Sequence, residues 1–419
     1  MRNNDNWRER SLKPMKKIIF ISIAIFIILA TGVWFFFFHT ISPSANGTSA
    51  TGTPFGVTPA DISSSGTVPV ATNAGGSSTT VGSVPTLFKV SGDPVAGAVV
   101  YTQNKTEMIR YVDRATGHIY DVNPLTLEKI EVVNTTMPKI YSSSWKSDGS
   151  EVIYRSPSSD GTSITNTSLT LTAPKSTSTG AEDTVTSTTL QGDISALATS
   201  ATKIAYVLKD TGIVGISGFA GEKPQTVFSS AFGEWQIAWS GASNIELTTN
   251  ASASSLGYSY TLNTSGSGFS KVLGPLTALT TLPNPQGGLV AYSYMDNGGH
   301  TFFAIQNTKT GTSSALAPAT FPEKCVWSSI QKDILYCGAP TSAIDSNEPD
   351  GWYQGSTHFS DQIWEYNIDT GNTTLLADPK QSFKVDIDVI NPELSPNEDY
   401  LIFMNKTDLS LWALKLSSE

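Results

Sequence analysis

Six times along the chain a Trp or Leu is followed, about seven residues later, by a short run of apolar and β-branched residues. In the clearest copies Trp145 precedes Val152-Ile153-Tyr154, and Leu394 precedes Leu401-Ile402-Phe403. Successive anchors lie 52, 42, 43, 45 and 67 residues apart. The six repeat anchors are Trp145, Leu197, Trp239, Leu282, Trp327 and Leu394. A repeat of roughly forty residues built from strands and turns predicts an all-β fold, a single β-propeller of four-stranded blades.

Counting the units between residues 86 and 419 predicts about seven four-stranded blades, with six or eight as the alternatives. The last unit, 386–419, contains only three predicted strands. A lone strand at Thr86–Val90 precedes the first unit. If that N-terminal strand pairs with the last unit, it completes the blade and removes two free sheet edges. We therefore expect the propeller domain to occupy residues 86–419 and to be closed by its first strand.

The N-terminal part of the chain has the pattern of a membrane anchor. Residues 18–38 form an apolar run, long enough to span a hydrocarbon core of roughly 30 Å. Residues 1–17 contain six Lys or Arg, and no further Lys or Arg occurs until Lys89. This asymmetry predicts a cytoplasmic basic tail at 1–17, a single transmembrane helix at 18–38 and an extracytoplasmic propeller. A cleaved signal peptide is the alternative, although Trp34 and Phe35–Phe38 replace the small residues of a cleavage site.

Composition separates the anchor from the repeats and excludes one class of partner. Residues 39–85 are rich in Ser, Thr, Gly and Pro, which predicts a disordered linker because such a segment cannot bury enough apolar surface to fold. The chain has a net charge of −10, and the part after residue 17 is more acidic still. An acidic body argues against nucleic acid as a partner.

Two of the repeats resemble those of a known family. The strings Trp145–Tyr154 and Leu394–Phe403 are similar to the TolB-like, or WD40-like, propeller repeat, in which an aromatic anchor is followed by a turn and a short strand. The copies at Trp239 and Trp327 are degenerate. The resemblance implies an extracytoplasmic β-propeller, bacterial in origin, that serves as a binding platform. It implies no catalytic residues, because the repeat positions are structural in that family.

The two cysteines, Cys325 and Cys337, flank a predicted hairpin whose turn lies near Gln331. Each is six residues from that turn, so the two strands place them opposite each other. An extracytoplasmic location favours a disulfide. Two free buried thiols, or a metal or redox site, are the alternatives.

The longest spacing between anchors contains the best candidate for a binding site. The excess of about 22 residues falls in 338–360, and long loops in compact domains are often functional. Aromatic rings beside carboxylates suit a sugar or a peptide. The candidate ligand- or partner-binding residues are Asp345, Asn347, Glu348, Asp350, Trp352, Tyr353, His358 and Phe359.

The same residues leave a calcium loop and a purely structural loop as alternatives. Asp345-x-Asn347 with Asp350-Gly351 is one residue off the EF-hand spacing, and no Glu falls at the closing position. A loop that only covers the blade requires no ligand. Beyond calcium the sequence predicts no cofactor.

Known catalytic motifs are absent from the sequence, which contains no serine-hydrolase elbow, P-loop or zinc-binding histidine pair. The sequence therefore predicts that the chain is not an enzyme. We expect a membrane-anchored, non-catalytic binding or scaffolding module for a protein, a peptide or a cell-envelope component such as a glycan. A carbohydrate-binding or carbohydrate-active propeller and a structural surface or pilus-associated protein are the alternatives.

Overall fold

The structure, a computed structural model, describes residues 86–172 and 184–416. In these two ranges it contains strands β1–β27, two short α-helices and one 3-10 helix. No helix within the described ranges is long and apolar enough to cross a membrane. The predicted tail at 1–17, transmembrane helix at 18–38 and linker at 39–85 all lie outside the described residues.

Three separate four-stranded antiparallel sheets follow one another in the first part of the propeller. The first sheet consists of β2 (Val95–Gln103), β3 (Thr106–Asp113), β4 (Ile119–Val122) and β5 (Lys129–Val133). The second consists of β6 (Ser142–Trp145), β7 (Glu151–Pro157), β8 (Ile164–Thr172) and β9 (Thr184–Thr189). The third consists of β10 (Ile194–Thr199), β11 (Ile204–Leu208), β12 (Ile213–Ser217) and β13 (Gln225–Ser229).

The middle of the chain forms one continuous sheet of seven strands. Its strands are β14 (Trp235–Trp239), β15 (Asn244–Thr249), β16 (Leu256–Asn263), β17 (Ser270–Pro283), β18 (Leu289–Met295), β19 (Thr301–Asn307) and β20 (Ser313–Leu316). The 14-residue strand β17 pairs with β16 through its first half and with β18 through its second half.

Two further four-stranded sheets complete the propeller. One consists of β21 (Cys325–Trp327), β22 (Ile334–Pro340), β23 (Asp361–Asn367) and β24 (Thr373–Ala377). The last consists of β25 (Val389–Leu394), β26 (Tyr400–Asn405), β27 (Leu411–Lys415) and the N-terminal strand β1 (Leu87–Ser91). The 3-10 helix is Pro322–Lys324, and the α-helices are α1 (Asp350–Gln354) and α2 (Pro379–Phe383).

The first strands of successive sheets contact one another around a ring. β2 contacts β6, β6 contacts β10, and β10 contacts β14, while β21 contacts β25 and β25 contacts β2. The 3-10 helix connects the ring between β17 and β25. Apolar clusters fill the spaces between neighbouring sheets, for example around Val100 and Ile402 or around Val152 and Val99. The described residues therefore form an all-β propeller with its inner strands facing the axis.

The predicted number of blades is wrong. The structure has five separate four-stranded blades, not seven, and the remaining strands belong to the single seven-stranded sheet. The physical cause is β17, where Leu273-Gly274-Pro275-Leu276 has the composition of a turn that would separate two units. Instead β17 continues through this point, with positive φ angles at Gly274 and Ala278 and with shifts of register near Ser259 and between Thr277 and Thr280.

The prediction that the N-terminal strand pairs with the last sheet is confirmed. β1 is antiparallel to β27, with Leu87 opposite Leu414 and Lys89 opposite Trp412. Leu87, Phe88 and Val90 are buried. The first described strand therefore supplies the outer strand of the last blade.

The tryptophan anchors connect neighbouring sheets through their indole N–H groups. Trp145 donates to the carbonyl of Gly97 on β2 at 3.3 Å, and Trp327 donates to the carbonyl of Leu282 on β17 at 3.0 Å. Trp239 donates to the carbonyl of Ala198 at 3.2 Å. An aromatic ring fills the space between sheets while its polar edge satisfies a carbonyl of the preceding inner strand.

The predicted disulfide is present. Cys325 and Cys337 are directly opposed in the β21–β22 hairpin, with a Cα–Cα distance of 4.1 Å, and their sulfur atoms are bonded. Both cysteines are buried. The bond crosslinks the short inner strand β21 to the next strand of its blade.

Candidate functional site

The longest connection in the described part of the propeller, residues 341–360 between β22 and β23, forms what we call the cap segment. Its base is closed by a hydrogen bond from Thr341 N to Ser360 O at 2.9 Å. Helix α1 lies in its middle and ends at Gly355, whose φ of 74° is the left-handed conformation that glycine adopts without strain. The cap segment lies at the end of the ring where the inner strands begin, because β22 runs back toward that end.

A fully buried ion cluster lies beneath the cap segment. The side chains of Lys324, Asp361 and Asp388 are all 0% exposed. Lys324 Nζ lies 2.7 Å from Asp361 Oδ2 and also donates to Asp388 Oδ1. One lysine thus joins the 3-10 helix to the start of β23 and to the residue that precedes β25. We call these three residues the buried ion cluster.

The cap segment is bound directly to this cluster. Trp352 Nε1 donates to both carboxylate oxygens of Asp388, at 3.0 and 3.1 Å, and the backbone N–H of Phe359 donates to Asp388 Oδ2 at 3.1 Å. Lys324 Nζ lies 4.9 Å from the Trp352 ring centre and 5.1 Å from that of Phe359, within cation–π range. Both rings pack against Phe321. The aromatic residues of the cap segment therefore act as its anchor.

Burial changes the protonation of the cluster. Desolvation raises the pKa of Asp361 to about 6, although Lys324 and the N–H of Val389 favour its ionised form. Val389 N donates to Asp361 Oδ2 at 2.7 Å, whereas Asp361 Oδ1 has no partner among the described residues. Two carboxyl groups thus share one lysine in a place that water does not reach.

Contacts with other sheets hold the rest of the cap segment. Asp350 Oδ2 accepts from Ala253 N at 2.6 Å and from Ser252 Oγ at 3.2 Å, in the β15–β16 connection. Lys406 Nζ, after β26, donates to the carbonyl of Trp352. The cap segment therefore bridges the seven-stranded sheet, its own blade and the last blade.

Tyr353 extends from the cap segment to the start of the inner strands. Its ring is 41% exposed, and its hydroxyl donates to Glu323 Oε1 in the 3-10 helix. Desolvation raises the pKa of Glu323, and the hydrogen bond from Tyr353 opposes this effect. Glu323 Oε2 has no partner among the described residues.

Polar residues of the cap segment enclose a cavity of about 390 Å³. The lining residues are Ser342, Ala343, Asp345, Asn347, Glu348, Thr357, His358 and Phe359. His358 is 48% exposed, and its Nδ1 lies 3.8 Å from Asp388 Oδ2. Asp345 and Asn347 are exposed at the rim, whereas Glu348 is buried. The cavity thus presents carboxylates, amides and hydroxyls that can accept hydrogen bonds from a ligand.

The structure divides the eight residues singled out in the sequence into two groups. Five line the cavity: Asp345, Asn347, Glu348, His358 and Phe359. Asp350, Trp352 and Tyr353 instead make the contacts that fix the cap segment. Asp350, which the calcium alternative would use as a ligand, is hydrogen-bonded through Oδ2 to the β15–β16 connection. In the described ranges no three His, Cys, Asp or Glu residues are grouped to hold a metal ion.

Sequence reasoning missed Lys324, Asp361 and Asp388 as a unit. Their spacing carries no motif, because they lie on three elements brought together only by the ring. The available signal was an ionisable residue next to an otherwise apolar strand start, as in Asp388-Val389-Ile390. A charge at such a position requires a partner.

A larger cavity, of about 740 Å³, lies at the opposite end of the ring, where β10, β14 and β17 end. Trp239, Leu282 and Pro285 contribute to its walls, and Lys203 is its one charged lining residue. It has no acidic groups and no inserted segment. The cap-segment cavity is therefore the better candidate for specific polar recognition.

Comparison with known proteins yields structural likenesses only. No protein-family model matches the chain, and no curated protein matches it. Membership of the TolB-like family is therefore not confirmed.

Among solved structures, an oligogalacturonate lyase in complex with manganese aligns at 11% identity and a TM-score of 0.46, over 78% of this chain and 97% of the lyase. An oligogalacturonate lyase from Vibrio parahaemolyticus aligns at 10% identity and a TM-score of 0.45, over 78% of this chain and 98% of the lyase. A chain of a mitotic checkpoint complex aligns at 12% identity and a TM-score of 0.49, over 83% of this chain and 99% of the other.

The expectation that the chain is not an enzyme requires correction. It rested on the lack of a catalytic motif in the sequence, yet two of the similar structures are lyases. Lack of a known motif does not by itself establish lack of catalysis, because the same chemistry occurs on unrelated folds. At 10–12% identity these likenesses say nothing about the reaction, substrate or partner of this chain.

Proposed function

We propose that the propeller is a binding module for a protein or peptide partner, and that the cap segment with its polar cavity is the contact surface. The observation that carries this proposal is the anchoring of the cap segment. Trp352 and Phe359 bind Asp388 at the start of the last blade, and Asp350 binds the β15–β16 connection of the seven-stranded sheet. The exposed residues between them are therefore held in place before any ligand arrives. Binding to such a surface loses little conformational entropy.

We further propose that the module lies outside the cell membrane, attached through residues 18–38 and the linker at 39–85. The charge asymmetry around the apolar run and the resemblance of two repeats to the TolB-like family support this arrangement. The Cys325–Cys337 bond is a further support, because structural disulfides persist in oxidising compartments.

A protein or peptide partner fits this surface better than a glycan. Sugar recognition commonly uses an aromatic ring face that is open to the ligand. Trp352 is 3% exposed and Phe359 is 6% exposed, so neither ring offers such a face to the cavity. The exposed residues that line the cavity, apart from Ala343, carry hydrogen-bonding or charged side chains, which suit a polar peptide. Tyr353, which is 41% exposed, does not line the cavity.

Site-specific photo-crosslinking in cells tests the proposal. A photoreactive residue is placed at His358, on the cavity wall, and in a matched protein at Ile330, which is 59% exposed in the β21–β22 turn at the other end of the ring. We expect a discrete protein adduct from position 358 and none from position 330. The proposal fails if both positions give the same adducts, or if position 358 gives none.

A further inference from the structure

Glu348 is the most deeply buried acidic residue on the wall of the cap-segment cavity, at 2% exposure. Its Oε2 accepts a hydrogen bond from the backbone N–H of Trp352 at 2.7 Å. No hydrogen bond to its Oε1 occurs among the described residues, and that atom is not among the fully buried oxygens of the described chain. A carboxylate oxygen at the cavity wall without a protein partner can accept a hydrogen bond from a ligand.

The space next to Oε1 is kept open by a glycine. A Cβ atom added to Gly351 would lie 2.8 Å from Glu348 Oε1 and 2.7 Å from Thr357 Oγ1. Gly351 lies in helix α1, where its backbone does not require glycine. Two oxygen acceptors thus converge on a space that any larger residue at 351 would fill.

The charges around the cavity are not balanced within the protein. Asp345 and Glu348 contribute two carboxylates to its wall. Of the neighbouring lysines, Lys324 binds Asp361 and Asp388, whereas Lys406 donates to the carbonyl of Trp352 and its charge also acts on Glu348, which leaves Asp345 without a lysine. The wall therefore has an excess of acceptors and negative charge over donors.

We propose that this cavity binds a basic side chain of the partner peptide, a lysine ammonium or an arginine guanidinium. The inference rests on the proposed function and specifies what the partner offers. Such a group supplies several N–H donors and a positive charge, and charge-assisted hydrogen bonds to carboxylates are stronger than neutral ones. In the described parts of the chain no three His, Cys, Asp or Glu side chains are grouped as they would be to hold a metal ion.

Calorimetric titration of the full chain in detergent micelles tests the proposal. The probes are Nα-acetyl-arginine amide, Nα-acetyl-lysine amide and the neutral analogue Nα-acetyl-citrulline amide. We expect both basic probes to bind weakly, with citrulline binding about tenfold more weakly or not at all, since one charge-assisted contact is worth about that factor. Added salt weakens the binding of the basic probes.

Two variants assign the binding to this cavity. Asp345→Asn removes one exposed charge and is expected to weaken the binding of the basic probes several-fold. Gly351→Ala fills the space beside Glu348 and is expected to abolish their binding. Asp160→Asn, an exposed carboxylate in the β7–β8 connection, is the matched control and leaves binding unchanged. Thermal unfolding of each variant verifies that it is folded.

Several outcomes overturn the inference. Equal binding of arginine and citrulline probes, unchanged binding in Asp345→Asn, or binding of N-acetylglucosamine in place of the basic probes each contradicts it. A protein adduct at position 358 that persists in Asp345→Asn and Gly351→Ala leaves the proposed function standing while the cation inference fails. If position 358 gives no adduct in the protein whose cavity wall is otherwise native, both the proposed function and the cation inference fail.

Discussion

At the scale of single residues, the propeller tolerates carboxyl groups in places where they have few partners. Glu246 on β15 is 2% exposed, accepts a hydrogen bond from Ser259 Oγ at 2.8 Å, and is also stabilised in its charged form by the side chain of Thr281. Glu246 Oε2 has no partner among the described residues. Desolvation raises the pKa of Glu246 to about 7 from its ordinary value of 4.5, and the Ser259 hydrogen bond opposes this only in part. This carboxyl group is therefore best accommodated in its neutral form.

Glu246→Gln is expected to make stability less dependent on pH. Because the pKa of Glu246 is higher in the folded state, folding binds a proton between about pH 4.5 and 7, and the free energy of unfolding falls as pH rises through that window. The difference between the folded and unfolded pKa values of Glu246 corresponds to roughly 3 kcal/mol of stability that is lost above pH 7, at about 1.4 kcal/mol for each pKa unit. Glutamine keeps the shape without the charge, so the variant should be more stable than the wild type at about pH 8.

Urea unfolding at about pH 5 and pH 8 measures this effect, and Glu128→Gln, an exposed carboxylate between β4 and β5, is the control. The interpretation is wrong if Glu246→Gln and Glu128→Gln change stability equally at both pH values.

At the scale of elements, the sequence predicted what depends on local pattern. The anchors and the runs that follow them identify inner and second strands, and the Cys325–Cys337 pairing follows from counting outward from the hairpin turn. The continuous strand β17 could not be predicted in this way. Whether Gly274-Pro275 turns the chain or only shifts its register depends on pairing with both β16 and β18, which local composition does not encode.

The strand that closes the last blade should contribute strongly to stability. Phe88 on β1 is 0% exposed and packs in a cluster with Tyr400 and Ala413. Phe88→Ala is expected to lower the free energy of unfolding by about 3–5 kcal/mol, through lost burial and the cavity left behind. Lys89→Ala, whose side chain is 21% exposed on the same strand, should cost far less. Denaturant unfolding compares the two variants. Equal effects would contradict the prediction that the buried face of β1 contributes strongly to the stability of the closed ring.

At the scale of the whole molecule, the buried ion cluster is where separate parts of the chain depend on one another. Lys324 precedes β21, Asp361 opens β23, and Asp388 precedes β25 while also binding Trp352 and Phe359. The position of the cap segment was predictable from the irregular spacing of the anchors. Which of its residues are buried was not, because its contacts are made with partners up to 98 residues distant in the sequence, as between Asp350 and Ser252.

Lys324→Met is expected to destabilise the propeller and loosen the cap segment. Removing the lysine leaves Asp361 and Asp388 buried without a counter-charge, at a cost of about 3–5 kcal/mol. We expect lower stability in urea and faster amide hydrogen exchange at Trp352 and Phe359. Lys332→Met, whose side chain is 69% exposed, is the control and should change neither quantity. Unchanged exchange in the Lys324 variant would show that the cap segment does not depend on the cluster.

The pairing of β1 with β27 has one more consequence. The backbone N–H of Lys415 donates to the carbonyl of Thr86 at 2.7 Å, so the two ends of the described propeller lie side by side. A short covalent join between them would make the backbone a closed circle, which could be reopened at a surface connection such as Asp160-Gly161 without breaking the inner strands. The order of sheets around the ring is thus independent of where the polypeptide happens to begin, and circular permutants should retain the cap segment and its cavity.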